Sequence, residues 1–193
     1  MTFLPPPGLL LAIMLVGDTL LMRTRLSGDE SRSTDRGSLR LLMAVIAGSV
    51  AAAAIAGRLV PQARFAALSG LDTSIPYAVG LVLFVAGLAL RWYSMRYLGR
   101  LFTFDVAVAE DHRVIDTGPY RRVRHPAYTG SLLGFVGIGL CGGNALSLVL
   151  LLVPIWLAFL HRIAIEEAAL TSALGSRYAD YVVRTRRLIP FVY

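Results

Sequence analysis

Residues 126–160 read PAYTGSLLGFVGIGLCGGNALSLVLLLVPIWLAFL, a run of 35 residues without a charged side chain. A single helix of that length, rising about 1.5 Å per residue, would be roughly 50 Å long, whereas the hydrocarbon core of a bilayer is about 30 Å thick. The middle of the run holds Cys141-Gly142-Gly143-Asn144, and paired glycines before an asparagine are typical of a turn. The run therefore predicts two membrane helices, 126–141 and 145–163, joined as a tight hairpin.

Three further stretches are apolar enough to span a membrane, at 5–22, 41–57 and 73–90. The chain is 56% hydrophobic and 16% charged, with a mean hydropathy of +0.65, whereas soluble domains carry about 25% charged residues. The length of 193 residues favours one domain. We therefore predict an all-α integral membrane protein with five transmembrane helices in a single domain, residues 1–193, with two N-terminal spans in 1–72.

The positive charge is distributed unevenly along the chain. All 19 basic residues are arginines: five lie in 23–40, seven in 91–125, five in 161–193 and only two in 58–72. Because loops rich in basic residues stay in the cytoplasm, this split predicts an external N-terminus and a cytoplasmic C-terminus. It also explains the net charge of +7 without a nucleic-acid partner, and the arginine bias favours a bacterial inner membrane. The single cysteine, Cys141, excludes a disulfide scaffold.

The densest polar cluster lies where the predicted loop enters the fourth span, between 118 and 130. Pro126 at a helix start leaves N–H groups of the first turn available to an anion, and Arg124 and His125 lie beside it. Tyr120 and Tyr128 add aromatic rings. The segment could bind an anionic, aromatic small molecule, although a membrane-anchoring belt of Tyr and Arg explains it as well.

Further polar residues follow the last span. Arg162 and Glu166 are four residues apart and share one helix face, which permits a simple surface ion pair or a polar site at the membrane edge. Tyr178 and Tyr181 also share a face, as packing residues would. Asp18, within the first span, could pair with a polar neighbour. No spacing of histidines, acids or the cysteine indicates a metal site.

Taken in order, these clusters resemble the isoprenylcysteine carboxyl methyltransferase family. The matching segments are Gly118-Pro119-Tyr120, Arg124-His125-Pro126-Ala127-Tyr128, Arg162 to Glu167, Gly175 to Tyr181 and Arg187-Leu188-Ile189-Pro190. The motifs cover about 98–190, and the prokaryotic members of that family also have five transmembrane helices. The resemblance implies that residues 73–193 form the catalytic core of an enzyme that transfers a methyl group from S-adenosylmethionine.

The resemblance also implies a cytoplasmic cofactor pocket, formed by the loop before the fourth span and the C-terminal helix. Its lining would be His112, Val114, Gly118, Tyr120, Arg124, His125, Pro126, Tyr128, Tyr178 and Tyr181. The catalytic residues would be Arg162, Glu166 and Glu167, where cofactor and lipid substrate meet. The sequence contains no soluble dinucleotide-binding domain, so a pocket at the membrane edge would hold the cofactor.

The methyl acceptor expected from the resemblance is the carboxylate of an isoprenylcysteine-like or other lipid-borne acid, taken from the bilayer. Arg162 could bind such a carboxylate with both arms of its guanidinium. Three alternatives stay open: a phospholipid N-methyltransferase, an NADPH-dependent sterol-type reductase of the same superfamily, and a non-enzymatic membrane scaffold. The sequence leaves the oligomeric state open.

Overall fold

Six α-helices make up most of the part of the chain described by a computed structural model, which comprises residues 4–25, 32–33, 37–65, 73–102, 107–108 and 114–190. In chain order they are α1 Pro7–Arg25, α2 Ser38–Leu59, α3 Ser74–Leu98, α4 Pro126–Cys141, α5 Ala145–Leu174 and α6 Ser176–Arg184. Short 3-10 helices lie at Pro61–Ala63, Gly99–Leu101 and Gly118–Arg121. Two two-residue strands, β1 Arg32–Ser33 and β2 Ala107–Val108, pair antiparallel.

The helical membrane fold is confirmed. Helices α2, α3 and α5 are long and apolar enough to cross a bilayer, and two shorter apolar helices cover Pro7–Leu21 and Pro126–Cys141. Numerous apolar side chains on these helices are exposed, such as Val82 and Leu157, as expected for side chains that face lipid. The count of five spans stays a prediction.

The hairpin at 126–160 begins and turns at the predicted residues, but the prediction of two short helices was wrong for the second. Helix α5 continues past 163 to Leu174, and α3 likewise continues past 90 to Leu98. In both helices the added turns contain a charged residue, Arg91 in α3 and Glu167 in α5, that forms an ion pair with a side chain from another part of the fold. The expected C-terminal helix is interrupted at Gly175, whose φ of 57° is a left-handed conformation that glycine adopts easily.

Helices α3 and α4 pack together through glycines spaced seven residues apart on each helix. A Cβ atom on Gly87 would lie 2.5 Å from the Gly130 carbonyl oxygen, and one on Gly80 would lie 2.7 Å from that of Gly137. Such distances leave no space for any side chain. The small residues therefore allow direct backbone contact between the two helices.

The turn between α4 and α5 is held by Asn144, which is fully buried. Its side-chain oxygen accepts a hydrogen bond from the Ser147 amide, 2.9 Å away, and so caps α5. Its amide group donates to the Val60 carbonyl over the same distance. The turn thus anchors the loop that follows α2.

The C-terminal segment returns to lie beside the loop that precedes α4. The amide of Arg124 donates to the Arg186 carbonyl at 2.7 Å, and the amide of His125 donates to the Arg187 carbonyl at 3.0 Å. Val123 and Arg186 form a parallel bridge. This pairing brings the C-terminal segment next to the loop before α4, so that the polar residues of the two segments lie side by side.

Candidate functional site

Glu167, on α5, lies at the centre of a cluster of basic side chains. Its Oε1 accepts a hydrogen bond from Arg124 Nε at 2.8 Å and lies 3.3 Å from His125 Nε2. Its Oε2 accepts from Arg187 Nε at 3.0 Å. We call Glu167, Arg124, His125 and Arg187 the Glu167 cluster. It joins α5 to the loop before α4 and to the C-terminal segment.

Arg124 extends this cluster to the end of α6. Its Nη1 donates to the Thr185 carbonyl at 2.7 Å and to the Val182 carbonyl at 3.2 Å. The last carbonyls of a helix lack partners within the helix, so a cation is a suitable donor there. Only 8% of the Arg124 side chain and 12% of the Glu167 side chain are exposed. The two charges therefore form a buried, fully bonded pair.

A second cluster surrounds the hydroxyl of Tyr128, on α4. This hydroxyl accepts from Arg162 Nε at 3.0 Å and donates to Glu166 Oε2 at 2.9 Å. Arg162 Nη1 also donates to Ser38 Oγ at 2.8 Å, at the start of α2. We call Tyr128, Arg162, Glu166 and Ser38 the Tyr128 cluster. Arg162 and Glu166 thus meet through a tyrosine hydroxyl.

His125 connects the two clusters. Its ring stacks on Tyr128 with the centroids 5.6 Å apart, and its Nδ1 lies 3.9 Å from Glu166 Oε2. The Tyr128 ring also contacts Phe159, whose ring centroid is 5.0 Å away. Aromatic contacts of this kind fix the ring plane, so the Tyr128 hydroxyl keeps its position between Arg162 and Glu166.

Three tyrosines form an aromatic wall beside the Glu167 cluster. Tyr181 donates to the Tyr120 carbonyl at 2.7 Å, and Tyr120 donates to the Ser94 carbonyl at 3.2 Å. The buried hydroxyl of Tyr178 has no hydrogen-bond partner among the described residues. Burial, together with nearby Glu167 and Glu166, raises the pKa of Tyr178. Its hydroxyl therefore remains a hydrogen-bond donor at any physiological pH.

An apolar cavity of about 80 Å³ opens on the other side of the Tyr128 cluster, between α1, α2, α3, α4 and α5. Met14, Leu42 and Phe135 contribute to its apolar lining. Its polar lining consists of Asp18, Thr19, Arg91, Tyr128, Ser131 and Arg162. Tyr128 and Arg162 thus belong both to the cavity lining and to the Tyr128 cluster, and Tyr128 also contacts His125 of the Glu167 cluster.

The structure brings most of the predicted site residues together. Arg124, His125, Tyr128, Arg162, Glu166 and Glu167 belong to the two clusters, and Tyr120, Tyr178 and Tyr181 form the aromatic wall. Pro126 is buried at the first position of α4. Gly118 has a φ of 56°, and the Tyr97 ring occupies the place of its missing side chain. Val114 is half-buried, and His112 lies outside the described residues.

Two ionic contacts were missed by the sequence reasoning. Arg187 was noted only as part of a motif, although its guanidinium reaches Glu167. Arg91 was not singled out, and it is the partner of Asp18, with Nε 2.9 Å from Oδ1. A lone acid inside one apolar run, Asp18, and a lone arginine at the end of another, Arg91, were the available signal for that pair. Among the described residues, no group of three His, Cys, Asp or Glu side chains is arranged to hold a metal ion.

Comparison with known proteins gives one family match. The family model described as "Phospholipid methyltransferase" matches residues 75–177, a little over half of the chain. The matched region begins at the start of α3 and ends just inside α6. It therefore contains all four glycines of the contact between α3 and α4. It also contains every residue of the two clusters except Ser38 and Arg187.

Several curated relatives are similar over the same part of the chain. A probable protein-S-isoprenylcysteine O-methyltransferase from Oryza sativa subsp. indica is 34% identical over 116 residues, which cover 59% of this chain and 61% of the relative. The protein-S-isoprenylcysteine O-methyltransferase of Saccharomyces cerevisiae is 32% identical over 124 residues, 63% of this chain and 52% of the relative. The chain thus spans less than two thirds of the length of these relatives.

A solved structure also matches. The eukaryotic intramembrane Ras methyltransferase ICMT (isoprenylcysteine carboxyl methyltransferase) superposes with a TM-score of 0.62 and 26% sequence identity. The match covers 79% of this chain and 53% of that one. The relatives and this structure confirm the resemblance indicated by the motifs.

Proposed function

We propose that this chain, which belongs to the phospholipid methyltransferase family, is a membrane-embedded enzyme that methylates the carboxylate of a lipophilic acceptor. S-adenosylmethionine would be the methyl donor, and the acceptor would be an isoprenylcysteine-like or other lipid-borne acid. The observation that carries the proposal is the position of Tyr128 and Arg162. Both residues line the apolar cavity, and both belong to a hydrogen-bonded chain that leads to Glu166.

The residues around the Glu167 cluster fit S-adenosylmethionine. Bound there, it would supply an electrophilic methyl group on a positively charged sulfur. The buried Tyr178 hydroxyl without a described partner can donate to a polar group of such a ligand. Glu166 is one-third exposed and offers a carboxylate to a positive charge. The rings of His125 and Tyr120 can contact a flat base.

The lining of the cavity suits a lipid with an acidic headgroup. Its apolar residues would hold a hydrocarbon chain, and Arg162 would bind the carboxylate, since a guanidinium offers two parallel donors to it. A carboxylate is already ionised near neutral pH, so no general base is needed. The contribution of the protein is then to hold the reactants in line and close together.

A phospholipid N-methyltransferase is the second candidate, favoured by the description of the matching family. An amine acceptor must lose a proton, and Glu166, which already accepts a hydrogen bond from Tyr128, could take it. The two candidates differ in the essential residue. Arg162 matters most for an acid acceptor, whereas Glu166 matters most for an amine.

Ligand retention tests the proposal directly. Purified protein in a non-ionic detergent is equilibrated with labelled S-adenosylmethionine and, separately, with labelled NADPH. We expect S-adenosylmethionine alone to be retained. His125→Ala should weaken the affinity for S-adenosylhomocysteine, measured calorimetrically, and the exposed His161→Ala serves as the matched control. Retention of NADPH instead, or unchanged affinity in His125→Ala, would contradict the assignment.

We further propose five spans with the C-terminus in the cytoplasm. The loop after α2 and the turn before α5 share one end of the molecule, since Asn144 binds Val60. They also contain few arginines, as an external face should. A reporter of membrane topology should indicate the cytoplasm when it is fused after residue 193. The same reporter should indicate the external side when it is inserted in 58–72. The opposite pattern would refute the orientation.

A further inference from the structure

The apolar cavity ends inside the protein, two helical turns away from the Tyr128 cluster. On α4 its lining residues are Tyr128, Ser131 and Phe135, which share one helix face because they are three and four residues apart. Seven helical residues rise about 10 Å, so Phe135 lies about that far from Tyr128 along α4. Phe135 is 1% exposed. Its ring therefore closes the cavity on the α4 side.

Two further side chains close the cavity on α1 and α2. Met14 is a buried lining residue, and a Cβ atom on Gly134 would lie 3.5 Å from its Sδ. The methionine side chain thus packs on α4 directly beside Phe135. On α2 the lining extends from Leu39 to Ile46, also about 10 Å. We call Met14, Ile46 and Phe135 the cavity floor.

The space behind the floor is filled with side chains. Leu10, Phe84 and Ile155 are buried and belong to the same hydrophobic cluster as the floor residues. None of these three residues lines the cavity. Because protein interiors are close-packed, a ligand that reaches the floor cannot extend past it unless a core side chain moves.

The enclosed space is small for a lipid. Its volume is about 80 Å³, whereas an apolar cavity of about 150 Å³ engineered in another protein binds benzene. The cavity therefore encloses fewer than about six carbon atoms of a ligand. The exposed lining residues are Leu15 and Thr19 on α1 and Met43 on α2. A longer tail would leave the protein between these two helices.

We propose that Phe135 and Met14 are specificity-determining residues, which limit how much of the hydrocarbon chain of the acceptor the protein encloses. Only the short segment next to the headgroup is bound inside, and the remainder of a long tail lies in the bilayer. The acceptor is then a lipid with a slim segment beside its headgroup, whatever the length of its tail. This inference rests on the proposed function for the position of the headgroup beside Tyr128 and Arg162, but its test requires no methyl transfer.

The test measures how binding depends on chain length. The probe is a five-carbon carboxylic acid that carries a diazirine on its fourth carbon. It is photo-crosslinked to the full-length protein in a non-ionic detergent at pH 8, and the labelled peptides are identified by mass spectrometry. Butanoate, hexanoate, octanoate and dodecanoate compete with it. The amine counterparts of the probe and of the competitors form a parallel series, so that either kind of headgroup can report on the cavity.

Two floor variants and two matched controls are compared with the native protein. Phe135→Leu and Met14→Ala enlarge the cavity at its floor. Phe84→Leu and Leu10→Ala make comparable changes at buried residues of the same cluster that do not line the cavity. The affinity of each variant is divided by the native affinity at every chain length, so that partition of the longer competitors into detergent cancels.

We expect labels on peptides that line the cavity. In Phe135→Leu and Met14→Ala, the affinity ratio should be near one for butanoate. It should rise about fourfold or more for octanoate, since one additional buried methylene group contributes about that factor. From octanoate to dodecanoate the ratio should stay constant, because the added carbons lie outside the cavity. In Phe84→Leu and Leu10→Ala the ratio should not depend on chain length.

The outcomes distinguish this inference from the proposed function. Ratios independent of chain length in both floor variants, the same rise in the controls, or no label on the lining peptides with either probe would overturn the inference, even if methyl transfer were demonstrated. A rise confined to the floor variants, in a protein that retains no S-adenosylmethionine, would sustain the inference and refute the proposed enzyme. If one floor variant does not fold, the other gives the same comparison.

Discussion

Glu166 and Glu167 are consecutive residues of α5, yet their surroundings differ sharply. In the Glu167 cluster, three basic side chains surround one carboxylate that is 12% exposed. In the Tyr128 cluster, a neutral hydroxyl contacts a carboxylate that is 33% exposed. The first arrangement holds three segments together and has no room for an exchange of partners. The second can change partners, because a hydroxyl bond is given up more easily than a buried ion pair.

The largest effect should come from breaking the Glu167 cluster. Glu167→Ala would leave Arg124 buried without its carboxylate, and removing one partner of a buried pair costs about 3–5 kcal/mol. We expect a marked fall in thermal stability, measured in detergent, and easier proteolysis of the C-terminal segment. Glu166→Ala is the matched control and should cost less than about 1 kcal/mol. Equal losses in the two variants would show that the clusters do not differ in this way.

A smaller effect on stability, but a large one on catalysis, is expected in the Tyr128 cluster. Arg162→Lys keeps the charge but lacks the planar, two-pronged donor of a guanidinium. Turnover should fall at least ~100-fold, the scale of a misplacement of about 1 Å, while the affinity for S-adenosylhomocysteine changes much less. Near-normal turnover would mean that Arg162 only anchors the helix. It would also favour an amine acceptor, with Glu166 as the essential group.

The smallest effect should follow from Tyr128→Phe. This change removes the hydroxyl between Arg162 and Glu166 but preserves the ring contacts with His125 and Phe159. A hydrogen bond to a charged group contributes at least about 1.5 kcal/mol, which corresponds to roughly tenfold in kcat/KM. Tyr93→Phe, on an exposed part of α3, is the control. A loss as large as that of Arg162→Lys would indicate that Tyr128 contacts the reacting atoms itself.

Local signals in the sequence predicted the hairpin of α4 and α5, because Gly142, Gly143 and Asn144 determine a turn without help from distant residues. The predicted third span ended at residue 90, whereas α3 continues to Leu98. An arginine at position 91 looks like the edge of a span until its partner Asp18, 73 residues away, is known. That pairing depends on how α1 packs, which a single sequence does not specify.

The candidate site was predicted as a set of residues, but not as two clusters. The motif grouped Glu166 with Glu167. The structure distinguishes them by their partners, since the loop before α4 and the returning C-terminal segment both contact Glu167, whereas Glu166 contacts Tyr128. Arg187 reaches Glu167 because the segment after α6 pairs with the loop before α4. The glycines of α4 were visible as small residues in the sequence. Their partners on α3 became evident only when the two helices were seen in contact.

The contact between the glycines of α3 and α4 has a mechanical consequence. With the Gly87 and Gly130 backbones touching, and Gly80 and Gly137 touching two turns away, a slide of one residue would drive a side chain into the opposite backbone. The two helices therefore form one rigid unit, and Arg91 and Ser131, one on each helix, keep a constant spacing. Because these two helices form part of the cavity lining, a lipid acceptor of the proposed kind would enter by displacing α1, α2 or α5 rather than by separating α3 from α4.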